Sequence, residues 1–282
     1  MTEQNEINII FVLYHPTTEQ LERIKNIATY YGGIIVDNSG TPNFPDERIG
    51  KMSYVINDNV GIATAQNIGI REIMASGTVS HIVFLDQDSK VTVNYPIQIV
   101  EEYKRLSKNQ KIATLGPTVI DETTDAAYTS AFHKDVIGKD GFIARPQIIS
   151  SGSVIEVNTL KEVGLMDDKL FIDFVDFEWS WRAKKRGYVS GITAHVSITH
   201  KVGVNELNIG KHKIIVSSPF RYFYQFRNLL WLAKRSYVPT KWKINYGAKM
   251  LARLIYFPFV LKNGWEIEKQ MWKGIRHGLL KR

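Results

Sequence analysis

Cysteine is absent from this 282-residue chain. That excludes disulfides, thiolate metal centres and cysteine nucleophiles, and it is compatible with a reducing compartment. Long apolar runs are missing too. The longest, "MLARLIYFPFVL" at 250–261, carries Arg253 and Pro258 and falls short of the ~20 residues that cross a bilayer. The opening "MTEQNEINII" has neither the basic start nor the apolar stretch of a secretory leader. No internal repeat or low-complexity tract is present. The expectation is a cytoplasmic protein, outside the integral-membrane class, with one large domain or one domain plus an appendage.

Charge is unevenly spread behind a net of +8. Residues 201–282 hold 17 Lys and Arg against 3 Asp and Glu, a net of +14, whereas residues 1–200 hold 19 against 25, a net of −6. The basic part interleaves cations with aromatics, as in "RYFYQFRNLLWLAKRSY" and "KWKINYGAKMLARLIYF". Helices of that composition lie in the plane of an anionic membrane surface, although a merely solvated basic face has the same composition. The chain therefore divides into a domain at 1–215 and a basic, amphipathic, helical segment at 216–282, peripheral at the inner face of the cell membrane. No nucleic-acid-binding motif accompanies the charge, and no nucleic-acid partner is expected.

The first 120 residues alternate in pattern. "INIIFVLYH" (7–15), "IIVDNSG" (34–40), "SYVIN" (53–57), "HIVFL" (81–85) and "KIATLGP" (111–117) read as strands. Between the first two, Thr17 and Gln20 form a capping box, Leu21, Ile24, Ile27, Ala28 and Tyr31 recur at helical spacing, and Gly32 and Gly33 supply the stop. A second helix runs from Gly61 to Gly77. Strands alternating with helices give an α/β class with a mostly parallel central sheet flanked by helices. Ligands of such sheets bind beyond the carboxyl ends of the strands. Tyr14 and His15, Asp37 and Asn38, and Asp86 to Asp88 all fall there.

Two groups of residues carry chemistry. Asp86 and Asp88, separated by one residue at a strand end, offer hard oxygen ligands to Mg²⁺ or Mn²⁺, with phosphate and water completing the shell. A polar loop has the same pattern, and so does a phosphatase with a nucleophilic first Asp; the latter wants Thr or Val four residues on, where this chain has Lys90. In "NDNVGIATAQNIGI" (57–70), Asn59, Gly61, Ala65, Asn67 and Gly69 follow N-x-G-x-x-x-A-x-N-x-G. Small residues let that helix approach the sheet and a ligand, with Asn67 turned to the cleft; helix–sheet packing alone is the other reading.

In order, "FVLYHP", "VDNSG", the Asn/Gly pattern, "FLDQDS", "GLMDDKLFIDFVDFEWSWRAKKRGY" and "HKVG" resemble the family 2 inverting glycosyltransferases of GT-A (Rossmann-like) fold, over roughly residues 7 to 230. The wording of "FLDQDS" and "LFIDFVDFEW…R…RGY" is most similar to the rhamnosyltransferase branch, which uses dTDP-L-rhamnose. The resemblance implies donor binding by Tyr14, Asp37, Asn59, Asn67, Asp86 and Gln87, with Asp37 accepting from the pyrimidine N–H. It implies a Mn²⁺ or Mg²⁺ ion at Asp88 and His200, with His195 as the nearby competitor. Asp176 matches the general base, kept ionised by a helix N-terminus. Val175 stands where the family usually has Glu, so Asp173 and Glu178 are rival carboxylates. Trp179, at helical spacing, suits the core as well as a sugar face; Arg182 suits an orienting ion pair; Arg227, beside Asn228, suits a contact to an acceptor's diphosphate.

The implied activity is transfer of L-rhamnose from dTDP-β-L-rhamnose, with inversion, to a lipid-linked or polysaccharide acceptor in bacterial surface-glycan synthesis. A UDP-hexose or UDP-galactofuranose transferase is the alternative within the class. The D-x-D phosphatase and a non-catalytic sugar-nucleotide-binding module are the alternatives outside it.

Overall fold

The computed structural model describes residues 4–121, 135–200, 206–209 and 212–280. In chain order the elements are β1 (Ile7–Leu13), α1 (Thr18–Tyr30), β2 (Gly32–Asp37), β3 (Arg48–Ile49), β4 (Met52–Ile56), α2 (Ile62–Ser76), β5 (His81–Asp86), α3 (Tyr95–Ser107) and β6 (Ile112–Asp121). There follow β7 (Phe142–Arg145), β8 (Val154–Glu156), α4 (Val157–Val163), α5 (Val175–Lys185), β9 (Val189–His200), the pair β10 (Glu206–Ile209) and β11 (His212–Ile215), and three helices, α6 (Pro219–Ala233), α7 (Thr240–Val260) and α8 (Gly264–Leu280).

One nine-stranded sheet, ordered β3-β4-β2-β1-β5-β8-β6-β9-β7, forms the centre. From β4 through β2 and β1 to β5 every pairing is parallel. Beyond β5 the sheet is mixed, because the short antiparallel β8 is inserted between β5 and β6. Successive side chains of β1 point to opposite faces. Ile7, Ile9, Phe11 and Leu13 join the core under α1 and α3, while Ile10 joins the core under α2, α4, α5 and the C-terminal helices. Both faces are thus covered, which is why the parallel strands read as near-continuous apolar runs.

The expected capping box of α1 is present, with Gln20 N–H donating to Thr17 Oγ1 and Thr17 N–H to Gln20 Oε1. Gly32 and Gly33 do not stop the helix; they open β2. At Gly33, φ is 143° and an added Cβ would lie 2.0 Å from the Ile9 carbonyl oxygen, so β2 can pair closely with β1 only through glycine. Helix α3 adds to the expected elements, and its Pro96 sits in the first turn, where no N–H is required.

Residues 216–280 are largely helical, as the composition suggested, yet they do not hang from the domain. Tyr222, Phe226, Leu229, Leu232, Trp242, Met250, Phe257 and Met271 belong to the same apolar core as α2 and α5. Trp242 meets Phe174 edge-on at 5.2 Å between ring centroids and Trp181 at 4.7 Å. Among the described residues, no helix is long and apolar enough to cross a membrane.

Candidate active site

A cleft of about 740 Å³ opens at the carboxyl edge of β1, β2 and β5. Tyr14, Asn38, Asn59, Asp86, Gln87 and Asp88 line it from the sheet side; Phe171, Ser218, Phe220 and Arg221 line it from later in the chain. The tips of β1 and β5 are laced by one side chain. Tyr14 N–H donates to Gln87 Oε1 at 2.7 Å, and Gln87 Nε2 donates to the Tyr14 carbonyl at 3.3 Å. Tyr14 keeps its ring exposed beside the cleft. Asn59 accepts from Gly61 N–H at 3.1 Å and so shapes the turn into α2. Gly61, at φ 82°, leaves no room for a Cβ, which would lie 2.6 Å from the Phe171 ring.

Asp37 and Asn67 depart from their expected placement. Asp37 is wholly buried and does not line the cleft; its neighbour Asn38 does. Burial alone would raise the Asp37 pKa, but donors from Ser39, Asn43 and Tyr54 outweigh it and hold the carboxyl below the usual range. Tyr54 Oη donates at 2.7 Å and Asn43 Nδ2 at 2.8 Å. Asn67 also turns away from the cleft. Its Nδ2 donates to the Met166 carbonyl at 2.9 Å and to Asp168 at 2.6 Å, and its Oδ1 accepts from Met166 N–H at 2.9 Å. An amide there fastens the 166–168 segment to α2 because both its donor and its acceptor find backbone partners.

Asp176 lies in the first turn of α5. Its Oδ1 accepts from Phe177 N–H at 2.9 Å, and its Oδ2 accepts from Ser150 N–H at 3.2 Å. Desolvation nevertheless raises its pKa to about 7, with the charge of Asp86 adding to the rise. The helix terminus was expected to keep this group ionised; burial beside another carboxylate prevails over it. The rival carboxylates are bound elsewhere. Glu178 is buried, pairs with Arg182 through both oxygens at 3.0 Å, and accepts from Tyr237 Oη. Asp173 pairs with Arg221 at 2.6 Å and sits at φ 65°.

Arg182 also donates to the Val163 and Leu165 carbonyls at 2.9 and 2.7 Å. Trp179 is buried, with Nε1 donating to the Gly164 carbonyl. Arg227 is turned inward, away from any acceptor. Only 7% exposed, it donates to the carbonyls of Lys169 and Leu170 and lies 4.3 Å over the Trp231 ring. Asn228 Nδ2 donates to the Leu170, Ile172 and Asp173 carbonyls at 2.9, 2.8 and 3.1 Å. Together these two residues of α6 clamp the segment that carries Phe171 and Ile172 to the cleft.

Asp86 and Asp88 both line the cleft, and their oxygens suit a hard divalent cation. Among the described residues no group of three or more His, Asp or Glu could hold a metal by itself. The remaining ligands would have to come from a diphosphate and water. His200 ends β9, and its side chain lies outside the described residues. His195 belongs elsewhere: its Nδ1 lies 3.0 Å from Glu102, within a cluster that includes Arg105. Sequence reading missed Ser218, Phe220 and Arg221, which tertiary packing brings to the cleft from some 130 residues beyond the D-x-D. The only local signal was an Arg among aromatics.

No protein-family model matches the chain. Among curated proteins, the chain is 28% identical over 250 residues to the dTDP-rhamnosyl transferase RfbF of Shigella flexneri, covering 83% of this chain and 82% of that protein. Among solved structures, residues 1–349 of S. aureus TarS superpose with a TM-score of 0.55 at 11% identity, over 96% of this chain and 81% of that one. The same TarS fragment in complex with UDP-GlcNAc gives 0.55 at 12%, over 97% and 80%. GalNAc-T7 with UDP, GalNAc and Mn²⁺ gives 0.51 at 15%, over 87% and 54%. The likeness to these solved structures shows the expected GT-A fold, and the chain is similar in sequence to a rhamnosyl transferase.

Proposed function

We propose that this GT-A-fold glycosyltransferase moves L-rhamnose, with inversion, from dTDP-β-L-rhamnose to a hydroxyl of a lipid-linked or polysaccharide acceptor in bacterial surface-glycan synthesis. The observation that carries the reading is Asp176. Its carboxyl is held by the N–H groups of Phe177 and Ser150 close to Asp86 of the cleft, and burial together with the Asp86 charge raises its pKa to about 7. The curated relative's name, a dTDP-rhamnosyl transferase, favours this donor. A UDP-sugar donor is the second reading, favoured by the UDP-GlcNAc complex of TarS.

In this reading Tyr14 and Asn38 flank the nucleobase, and Gln87 fixes the strand tips on which it rests. Asp88 and Asp86 would hold Mn²⁺ or Mg²⁺, which when bound neutralises charge gathering on a departing diphosphate. The acceptor hydroxyl attacks the anomeric carbon, the bond to the diphosphate oxygen breaks, and the hydroxyl proton passes to Asp176. Because attack and departure are in line, the anomeric configuration inverts. The pKa of about 7 suits this task, since a general base is most effective near the working pH. Arg221, held by Asp173, adds a cation to the cleft facing the D-x-D.

The C-terminal helices also fit a place at the membrane surface. Trp265, Trp272 and Leu279 recur every seven residues along α8 and are exposed, as are Ile244, Leu251, Ile255 and Phe259 along α7. Together with the net charge of +14 over 201–282, these exposed side chains fit the interface of an anionic bilayer.

The deciding experiment is a nucleotide-release assay across dTDP-rhamnose, UDP-hexoses and UDP-galactofuranose, with and without chelator. Release of dTDP that stops on chelation is expected. Release of UDP in its place selects the second reading, and donor binding with no turnover on any glycan acceptor overturns transfer.

A further inference from the structure

A second cavity of about 440 Å³ lies beside Asp176, apart from the nucleotide cleft, and none of the residues argued above to contact the donor lines it. Its walls are mostly apolar: Ile148 and Ile149 from the loop before β8, Ile192 from β9, and Trp242 and Tyr246 from α7. Four cations accompany them, Arg145, Lys184, Lys241 and Lys249, and among the described residues no Asp or Glu lines it. Arg145 is neutralised by Asp135 at 2.6 Å. Lys184 and Lys241 are exposed and have no carboxylate partner among the described residues.

The cavity touches the candidate base through two backbone donors. Phe177 lines it and gives its N–H to Asp176 Oδ1; Ser151 and Ile149 line it, and Ser150 between them gives its N–H to Asp176 Oδ2. The Ser151 hydroxyl lies 3.0 Å from that of Ser89, which in turn accepts from Asp86 N–H. Asp176 therefore stands between two hollows. One carries the D-x-D; the other is an apolar chamber with a cationic rim, of the size and lining that small-molecule sites have.

We propose that this second cavity binds the carrier end of the acceptor, a diphosphate borne on a hydrocarbon chain. Hydrocarbon occupies the Ile148, Ile149, Ile192 and Trp242 walls, and Lys184 and Lys241 meet the diphosphate. The placement rests on the reading of Asp176 as base, since it brings the acceptor hydroxyl from the side opposite the donor. It narrows the acceptor to one whose charge and apolar chain are both recognised. A free glycan meets neither the apolar walls nor the lysines, and an uncharged lipid gains nothing from Lys184 and Lys241.

The test is calorimetric binding of farnesyl diphosphate, kept below its micelle concentration, to the full chain. Saturable binding is expected, weaker by about ten-fold or more for farnesol and for inorganic diphosphate. Lys184→Glu with Lys241→Glu, and separately Ile149→Asp, are expected to weaken farnesyl diphosphate binding by the same order, with unchanged thermal melting showing that the variants fold. Three outcomes would overturn the proposal: variants that bind as the parent does, equal affinity for farnesol or inorganic diphosphate, or displacement of the probe by dTDP, which would place it in the donor cleft. The measurement uses no sugar donor. Failure here leaves rhamnosyl transfer standing, and failure of transfer leaves this result readable.

Discussion

At the residue scale, Asp176 makes the sharpest claims. Its folded pKa, raised to about 7 from 3.8, means that folding favours the protonated form. The stabilisation is full below about pH 3.8 and is lost as pH rises through about 7, so at pH 8 the fold holds a poorly solvated carboxylate. Asp176→Asn is therefore expected to raise the melting temperature of the ligand-free protein more at pH 8 than at pH 5, and least near pH 3, read by calorimetry. The same change is expected to lower kcat by a factor on the order of 10² or more, the usual worth of a general base. For the parent protein, kcat/KM should rise with pH and level off above a midpoint near 7. A profile flat from pH 5 to 9 would remove Asp176 from the reaction. The residue type and its neighbourhood in "DFVDFEW" were legible in sequence. Its titration was not, because burial and the approach of Asp86 come from chain 90 residues away.

At the element scale, α6 acts as a clamp on the cleft wall. One Asn228 amide serves the carbonyls of Leu170, Ile172 and Asp173, in a stretch where Phe171, Asp173 and Phe174 all take positive φ. Such backbone persists only where its surroundings hold it. Asn228→Ala takes this donor from the Ile172 and Asp173 carbonyls, while Leu170 keeps Arg227, and is expected to cost about 2–3 kcal/mol in denaturant unfolding. It should also raise the KM for donor more than it lowers kcat, since Arg221 and Phe171 lose their fixed positions while Asp176 does not. Sequence periodicity gave the strands and α1 well, since each apolar run or stripe answers to one local face. It misplaced the role of Gly32 and Gly33 because their need arises between strands, at the Ile9 carbonyl. Asn67 was legible as part of a pattern, but its direction depended on where the 166–168 segment returns.

At the scale of the whole molecule, the C-terminal helices serve two surfaces. Their inner faces complete the core around Trp181 and Phe174, and their outer faces expose Trp265, Trp272 and Phe259. Trp265→Ala with Trp272→Ala is expected to reduce co-sedimentation with anionic vesicles several-fold, without changing the melting temperature, since both rings are exposed. Binding of the parent should also fall with salt; equal binding to neutral vesicles would argue against a charged interface. By itself the sequence determined the α/β class, the parallel run of strands and the polar groups at their carboxyl ends, because hydrophobic periodicity and strand ends are local properties. It also determined the asymmetry of charge. Only the tertiary structure decided that Asp37, Asn67 and Arg227 spend their polar groups inside the protein, that Arg221 joins the cleft, and that Asp176 stands between two hollows. Those facts depend on which distant segments meet, and burial and hydrogen-bond partners exist only after they do.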